Sequence, residues 1–335
     1  MGHEVFSERF VHLAMQSFEE LSTAFAARFN TRHFPLYPSS LYDPAEYFLG
    51  LGGKRIRPVL CLMGNELFGP IEEDAWEMSS ALELFHNFTL IHDDIMDKAP
   101  LRRGQPTVHA KYGSSTAILA GDVMMVVSYE YIGKVRSPHI RRLLQLFNQI
   151  AMKVCEGQQL DMDFESRDQV SMTEYLQMIE LKTSVLLAGC LQIGALLGGA
   201  GLGNQDIIYD FGRNLGLAFQ VQDDYLDCYG DASKFGKQVG GDILSDKKTF
   251  LLIKTLEVAN AAQRREIEEL KSAAPARKVA GMLGIFKACG VDSWARELKE
   301  QYHIAACKRL DDIAVTAIRK EPLQRVVELL LQREH

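Results

Sequence analysis

Asp93-Asp94-Ile95-Met96-Asp97 closes an apolar segment that starts at Ala81 and carries Leu82, Leu84, Phe85, Phe88, Leu90 and Ile91. In a helix successive residues turn by about 100°, so Asp93 and Asp97 project from one face, one turn apart, and Asp94 points to the side. Stacked carboxylates repel each other and resist leaving water, so they call for cations. The same design returns at Asp223-Asp224-Tyr225-Leu226-Asp227, at the end of the apolar run Ile207 to Gln222. One five-residue acidic pattern is often accidental and reads equally well as a solvated helix end. Two of them, each closing an apolar helix, are far harder to assign to accident. Facing each other across a cavity, they would hold several Mg²⁺ ions, because Mg²⁺ prefers carboxylate and phosphate oxygens and keeps some water.

Basic residues follow each acidic stretch. Lys98-Ala99-Pro100-Leu101-Arg102-Arg103-Gly104 lies just past the first, and the Gly- and Lys-rich segment from Lys234 through Lys237 to Lys247-Lys248 lies past the second. Earlier, Gly52-Gly53-Lys54-Arg55-Ile56-Arg57-Pro58 sets three cations on a sharp turn at the mouth of a helix. Each has a bland alternative: a basic turn is commonly surface, Arg102 and Arg103 can pair with Asp97, and Lys182 can snorkel to solvent. Together, carboxylates for a divalent metal and guanidinium forks beside them suit a diphosphate. Neutralising its charge makes diphosphate a good leaving group, so the matching reaction is ionisation of an allylic C–O bond. The cation then needs a dry, apolar place, and Thr89, Phe85 with His86, and Leu82 lie by helical count beneath Asp93.

The elements that must position these groups read as helices throughout. A stripe over 4–29, a Pro-rich connection from Phe34 to Asp43, a helix begun at Pro44 with Asp43 as cap, and a helical run from Val59 broken near Gly69-Pro70 lead to the first acidic stretch. Helices follow over about 116–133 and 140–163, then from near Thr173, then over Asp206 to Tyr229. Turns are expected at Ala273-Ala274-Pro275 and Lys320-Glu321-Pro322, and the last 85 residues read as packing and oligomer surface. No strand alternation and no glycine-rich nucleotide loop occurs. The chain is therefore expected to be all-α, a large single-domain helical bundle around a central cavity, with a motif-bearing core over about 45–255 and C-terminal helices over about 256–335.

The 335 residues are ample for a deep core, and the net charge of −7 argues against a nucleic-acid partner. Six scattered cysteines without paired spacing fit reduced thiols in a cytoplasmic protein. No signal peptide is evident at Met1-Gly2-His3-Glu4-Val5. The 23 uncharged residues from Thr183 to Gln205 are long enough to span a bilayer but contain six Gly and no aromatic or basic anchors, so a buried core helix is expected and stable membrane insertion is not.

In order and spacing, the Gly52 to Pro58 turn, the Asp93 to Asp97 motif with Arg102-Arg103-Gly104, Gly157-Gln158 to Asp161, Lys182-Thr183, and Gln220 with Asp223 to Asp227 resemble the signature of trans-isoprenyl diphosphate synthases, the farnesyl and geranylgeranyl type. The resemblance implies a homodimeric, all-α prenyltransferase that joins isopentenyl diphosphate head to tail to a C5–C15 allylic diphosphate, with three Mg²⁺ ions. Carried over residue by residue, it implies Asp93, Asp97 and Asp223 as metal ligands, with Asp94 and Asp227 in lesser roles. Arg102, Lys182, Lys237 and Lys247 would grip the allylic diphosphate; Lys54, Arg57, His86 and Arg103 would bind isopentenyl diphosphate; Lys182, Thr183 and Gln220 would steady the cation. Phe88, Thr89 and Phe85 would set product length. An aromatic at the fifth position before the motif goes with C15 to C20 products, and small Thr89 tilts the expectation to geranylgeranyl diphosphate, with farnesyl or longer polyprenyl diphosphates as alternatives. A terpene cyclase would carry an Asn/Ser/Glu-type second motif, from which Asp223 to Asp227 departs. A non-catalytic partner subunit would lack one acidic motif, and both are present.

Overall fold

A computed structural model describes residues 15–230 and 240–331. In chain order the helices are α1 (Phe18–Phe29), α2 (Ser39–Gly50), α3 (Ile56–Glu66), α4 (Glu73–Met96), α5 (Val108–Tyr112), α6 (Ser114–Gly133), α7 (Ile140–Ser166), α8 (Met172–Ile179), α9 (Val185–Leu197) and α10 (Leu202–Tyr229). They are followed by α11 (Gly241–Leu244), α12 (Phe250–Val258), α13 (Ala261–Lys271), α14 (Pro275–Ala288), α15 (Val291–Asp312) and α16 (Ala317–Leu331). The all-α expectation holds, with one addition. Strands β1 (Leu101–Arg102) and β2 (Gln105–Pro106) form a two-residue antiparallel ladder in the loop after the first acidic motif. Arg103 and Gly104, at its tip, both have positive φ, 54° and 74°, as a two-residue type I′ hairpin turn requires.

The acidic motifs end the two long helices α4 and α10, and the apolar faces of these helices hold them in place. Leu82, Leu84 and Phe85 of α4, Leu60 and Leu62 of α3, Leu191 and Ile193 of α9, and Phe211 and Leu215 of α10 are fully or almost fully buried in one cluster. A second cluster, built from Tyr175, Val221, Phe250, Ile285 and Phe286, supports the far side of α10 and includes Ile243 of α11. α9 is buried at twelve of its positions, and the most apolar window of Met172–Leu197 is 78% buried. The uncharged run is thus a core helix, broken at Gly198–Gly201 before α10 starts.

Four boundaries differ from the sequence expectation. The stripe over 4–29 is interrupted: α1 begins at Phe18 because Ser17 and Glu20 form a reciprocal capping box, and residues 1–14 lie outside the described ones. α2 starts at Ser39, so Pro44 is inside the helix instead of opening it. Pro322 likewise lies within α16, and the turn falls at 313–316. In both cases proline is the sixth helical residue, just past the unpaired donors of the first turn, so it removes one intrahelical bond in the second turn and the helix continues. α7 runs three residues beyond the expected end at 163, and Gly157, Gln158 and Asp161 sit within it as expected.

Phe211, fully buried, tests how much α10 depends on this packing. Phe211→Ala is expected to lower unfolding free energy by about 3–5 kcal/mol, read as a lower midpoint at an unchanged slope in guanidinium denaturation.

Candidate active site

In each acidic motif the middle aspartate is tied into the protein, and of the outer ones, among the described residues, Asp93, Asp97 and Asp223 are left for other partners. Asp94 is 2% exposed. Both its oxygens accept from Nε of Arg102 at 2.9 Å, and Nη2 of Arg102 lies 2.8 Å away. Asp224 is 7% exposed, accepts from the Tyr175 hydroxyl and, at 2.8 Å, from Nε2 of Gln220. Asp93 and Asp97 stand on the opposite side of α4, Asp93 half-buried and Asp97 exposed; on α10, Asp223 is exposed and Asp227 half-buried. Asp227 is partly committed: its Oδ2 accepts from the amide of Asp242 at 3.0 Å and its carbonyl from Gly240 at 2.7 Å, so it anchors the start of α11.

The electrostatics of these carboxyls follow from burial. Desolvation pushes Asp93 up to about 6, opposed by Lys182 and reinforced by Asp97. Burial, with Asp242 beside it, pushes Asp224 up to about 7 against the hydrogen bonds of Tyr175 and Gln220. Lys247 links the two sides. Its burial disfavours the ammonium, but Asp242, Asp97, Asp161 and Asp224 together outweigh that and raise its pKa. One lysine therefore feels the last carboxylate of the first motif and the middle one of the second. Asp161 is felt by Asp93, by Lys247 and by Tyr175, which places it between the two motifs.

Among the described residues no three acidic, His or Cys side chains close into a metal cage. Instead, two oxygen-only pairs occupy the ends of separate helices, one with a carboxyl that burial makes reluctant to ionise alone. This donor set fits Mg²⁺, which takes few protein ligands and completes its shell with water and substrate phosphate.

Lys182 and Thr183 lie in a π turn, Glu180–Ser184, between α8 and α9. Such wide turns commonly mark functional positions. Two glycines on neighbouring helices make room for it: a Cβ at Gly157 of α7 would sit 2.2 Å from the Lys182 amide nitrogen, and one at Gly216 of α10 would sit 2.7 Å from the Ser184 Cα. Nζ of Lys182 meets Asp161 Oδ2 at 2.6 Å. Gln158 of the same α7 segment is buried, and its Oε1 has no partner among the described residues. Gln220 stands one turn before Asp224 on α10.

The cationic residues gather on the other side of α4. Arg55, left-handed at φ 49°, sends its guanidinium inward to Glu83 at 2.5 Å and to the Leu49 carbonyl at 3.1 Å. Asn87 also donates to Glu83, at 3.0 Å. This buried pair fixes the turn so that Lys54 stays exposed and Arg57 is directed at α4. Nη1 of Arg57 donates to Nε2 of His86 at 3.0 Å. A guanidinium offers only donors, so Nε2 of His86 is unprotonated and Nδ1 carries the proton. Burial, then the neighbouring arginines, hold the His86 pKa well below its ordinary value, so the ring is neutral. Arg103 lies against the double-glycine turn, where a side chain at Gly53 would collide with it, and both burial and the surrounding arginines lower its pKa. Arg57, His86 and Arg103 therefore converge, and Lys54 lies exposed on the adjoining turn. Arg102 stands beside them with Nε and Nη2 committed to Asp94.

Below Asp93, Phe85 is 1% exposed and meets the ring of Phe147 on α7 at 5.3 Å; Phe88 lies 5.8 Å from Phe85 and 4.7 Å from His92. Thr89 is half-buried and donates to the His86 carbonyl. Lys237 lies outside the described residues. Glu83 and Tyr175 carry no signal in the sequence, while Arg55 and Asp161 stand in recognised motifs without a role; all four become visible through their partners in space.

The polyprenyl synthetase family model matches residues 38–283. A short chain isoprenyl diphosphate synthase of Methanothermobacter thermautotrophicus is 37% identical over 299 residues, covering 89% of this chain and 92% of the relative. A geranylgeranyl diphosphate synthase of Sulfolobus acidocaldarius is 36% identical over 300 residues, 88% and 91% of the two chains. Among solved structures, a geranylgeranyl pyrophosphate synthase superposes with a TM-score of 0.90 at 41% identity, over 96% of this chain and all of its own.

Two variants probe the site's construction. Gly157→Ala forces α7 away from the π turn and is expected to lower kcat/KM at least about 100-fold, the scale of a roughly 1 Å misplacement, with helical content retained in circular dichroism. Glu83→Ala strands a buried guanidinium and should cost about 3–5 kcal/mol in denaturant unfolding.

Proposed function

We propose an activity from one premise: the chain belongs to the polyprenyl synthetase family. It is a trans-prenyltransferase that joins isopentenyl diphosphate to an allylic diphosphate, and its product is geranylgeranyl diphosphate. The observation that carries the reading is the division of labour in the acidic motifs, where each middle aspartate is satisfied internally and Asp93, Asp97 and Asp223 are left as oxygen donors at the ends of α4 and α10. Asp93, Asp97 and Asp223 would hold Mg²⁺, with Asp227 in a supporting role. Bound Mg²⁺ would neutralise the diphosphate and make it a better leaving group.

The protein's own groups do the rest. Lys182 and Lys247 reach the allylic diphosphate from opposite sides, and Arg102 adds its free Nη1. Lys54, Arg57, neutral His86 and Arg103 take the diphosphate of isopentenyl diphosphate. When the allylic C–O bond breaks, the carbonyl and hydroxyl dipoles of the π turn at Lys182 and Thr183, with the Gln220 amide, steady the cation. The isopentenyl double bond attacks it, the new C–C bond forms, and the departing diphosphate takes the proton. The aromatic group of Phe85, Phe88 and Phe147 lies in the path of the growing tail, while small Thr89 lets it pass.

We assign the whole chain to one isoprenyl diphosphate synthase domain and the reaction to the cytoplasm, and we take the working unit to be a homodimer. Exposed apolar Ile118, Leu119 and Val126 on α6, with Met152 on α7, support pairing with a second copy. The presence of both acidic motifs disfavours a silent partner subunit.

Incubation with labelled isopentenyl diphosphate, Mg²⁺ and each of the C5, C10 and C15 starters is expected to yield a C20 product, resolved by chromatography. A predominant C15 or C25 product would overturn the length assignment. Asp93→Ala should abolish turnover with the fold intact; retained turnover would sink the activity itself. Phe85→Ala and Phe88→Ala should lengthen the product, and an unchanged product from both would move the stop elsewhere.

A further inference from the structure

Lys247 occupies a loop that is pinned on both flanks. On one side Nζ of Lys248 donates to the carbonyls of Phe164 and Glu165, at 2.7 and 3.2 Å, at the C-terminal end of α7, where backbone acceptors are unpaired and a cation is favoured. On the other side Nζ of Lys278, from α14, meets Asp246 Oδ2 at 2.7 Å and the Leu244 carbonyl at 3.4 Å. Lys278 is only 6% exposed. A buried ammonium is tolerated only where it is paired, so its place fixes the place of Asp246. Asp246 is left-handed, at φ 53°, immediately before Lys247. A small cavity of about 30 Å³, lined by Ile243, Asp246, Lys247, Thr249, Lys278 and Met282, lies between the loop and α14.

We propose that Lys278 is a positioning residue for the allylic diphosphate site: through Asp246 it holds the loop in the one arrangement that turns Lys247 toward the acidic motifs. The inference rests on the reading of Lys247 as a diphosphate ligand, and its test separates the two.

The measurement is steady-state kinetics of the full-length enzyme with Mg²⁺, varying each diphosphate in turn, for Lys278→Met, Asp246→Asn, the double variant, Lys278→Arg and Lys247→Ala. Asn tolerates the left-handed backbone that Asp246 adopts, so Asp246→Asn removes the charge and keeps the turn. Lys278→Met and Asp246→Asn should each raise the KM for the allylic diphosphate about 10-fold, within the range that misplacing a binding group costs, and leave the KM for isopentenyl diphosphate unchanged. The double variant should be no worse than either single one, and Lys278→Arg should recover much of the loss. If Lys247→Ala raises the allylic KM while Lys278→Met and Asp246→Asn do not, the latch is wrong and the ligand stands. An equal rise of both KM values in either variant would mark a purely structural role and also overturn it. If Lys247→Ala itself changes nothing, the ligand assignment fails and the latch falls with it. Should Lys278→Met fold poorly, Asp246→Asn, on a side chain 56% exposed, carries the test alone.

Discussion

The structure depends on keeping like charges concentrated at one place without letting opposite charges cancel there. Carboxylates and cations crowd the same few turns of α4, α7 and α10, and full mutual pairing would leave nothing for a ligand. The chain resolves this by completing some pairs inside the protein. Arg55 with Glu83, Arg102 with Asp94, and Tyr175 and Gln220 with Asp224 are committed contacts in low-exposure surroundings. What remains is a lopsided surplus, negative on one side and positive on the other. Burial without full compensation explains the raised carboxyl of Asp93, and a crowd of arginines explains the neutral His86.

This division shows why helical spacing is informative to a point. In a D-D-x-x-D pattern the first and last residues share a face and the second is turned about 100° away. The spacing assigns Asp94 a side role, and its partner in the structure is the nearest arginine of the following hairpin. The spacing is silent on which cation that would be. Arg102 and Arg103 are neighbours of identical type, yet the tight turn sends one to Asp94 and the other to Gly53. Such a turn is set by two positive φ values, which Arg103 does not announce.

The fold was legible where apolar periodicity and charge agreed, as in α4, α6 and α10, and in the buried α9, whose glycine content and lack of interface anchors separate it from a bilayer span. It was obscured where one residue type carried the inference. Pro44 and Pro322 suggest helix starts or stops, yet both are absorbed within the first two turns. Arg55, Glu83 and Tyr175 come from distant parts of the chain, and their worth lies in partners 28 and 49 residues away. Asp161 was visible as part of a motif, but its position between the two acidic pairs is a property of how α7 crosses them.

The π turn at Glu180–Ser184 also bears on how the chain can vary in length. A π turn holds one residue more than an α turn, so the helix beyond it is rotated by about 100° relative to an unbroken α-helix. Loss of one residue from 180–184 would let the helix relax into a regular ladder and carry Lys182, Thr183 and the start of α9 out of register with Gly157 of α7 and Gly216 of α10. The loops between helices can take insertions and deletions with little consequence, whereas this five-residue segment, helical throughout, behaves as a fixed count.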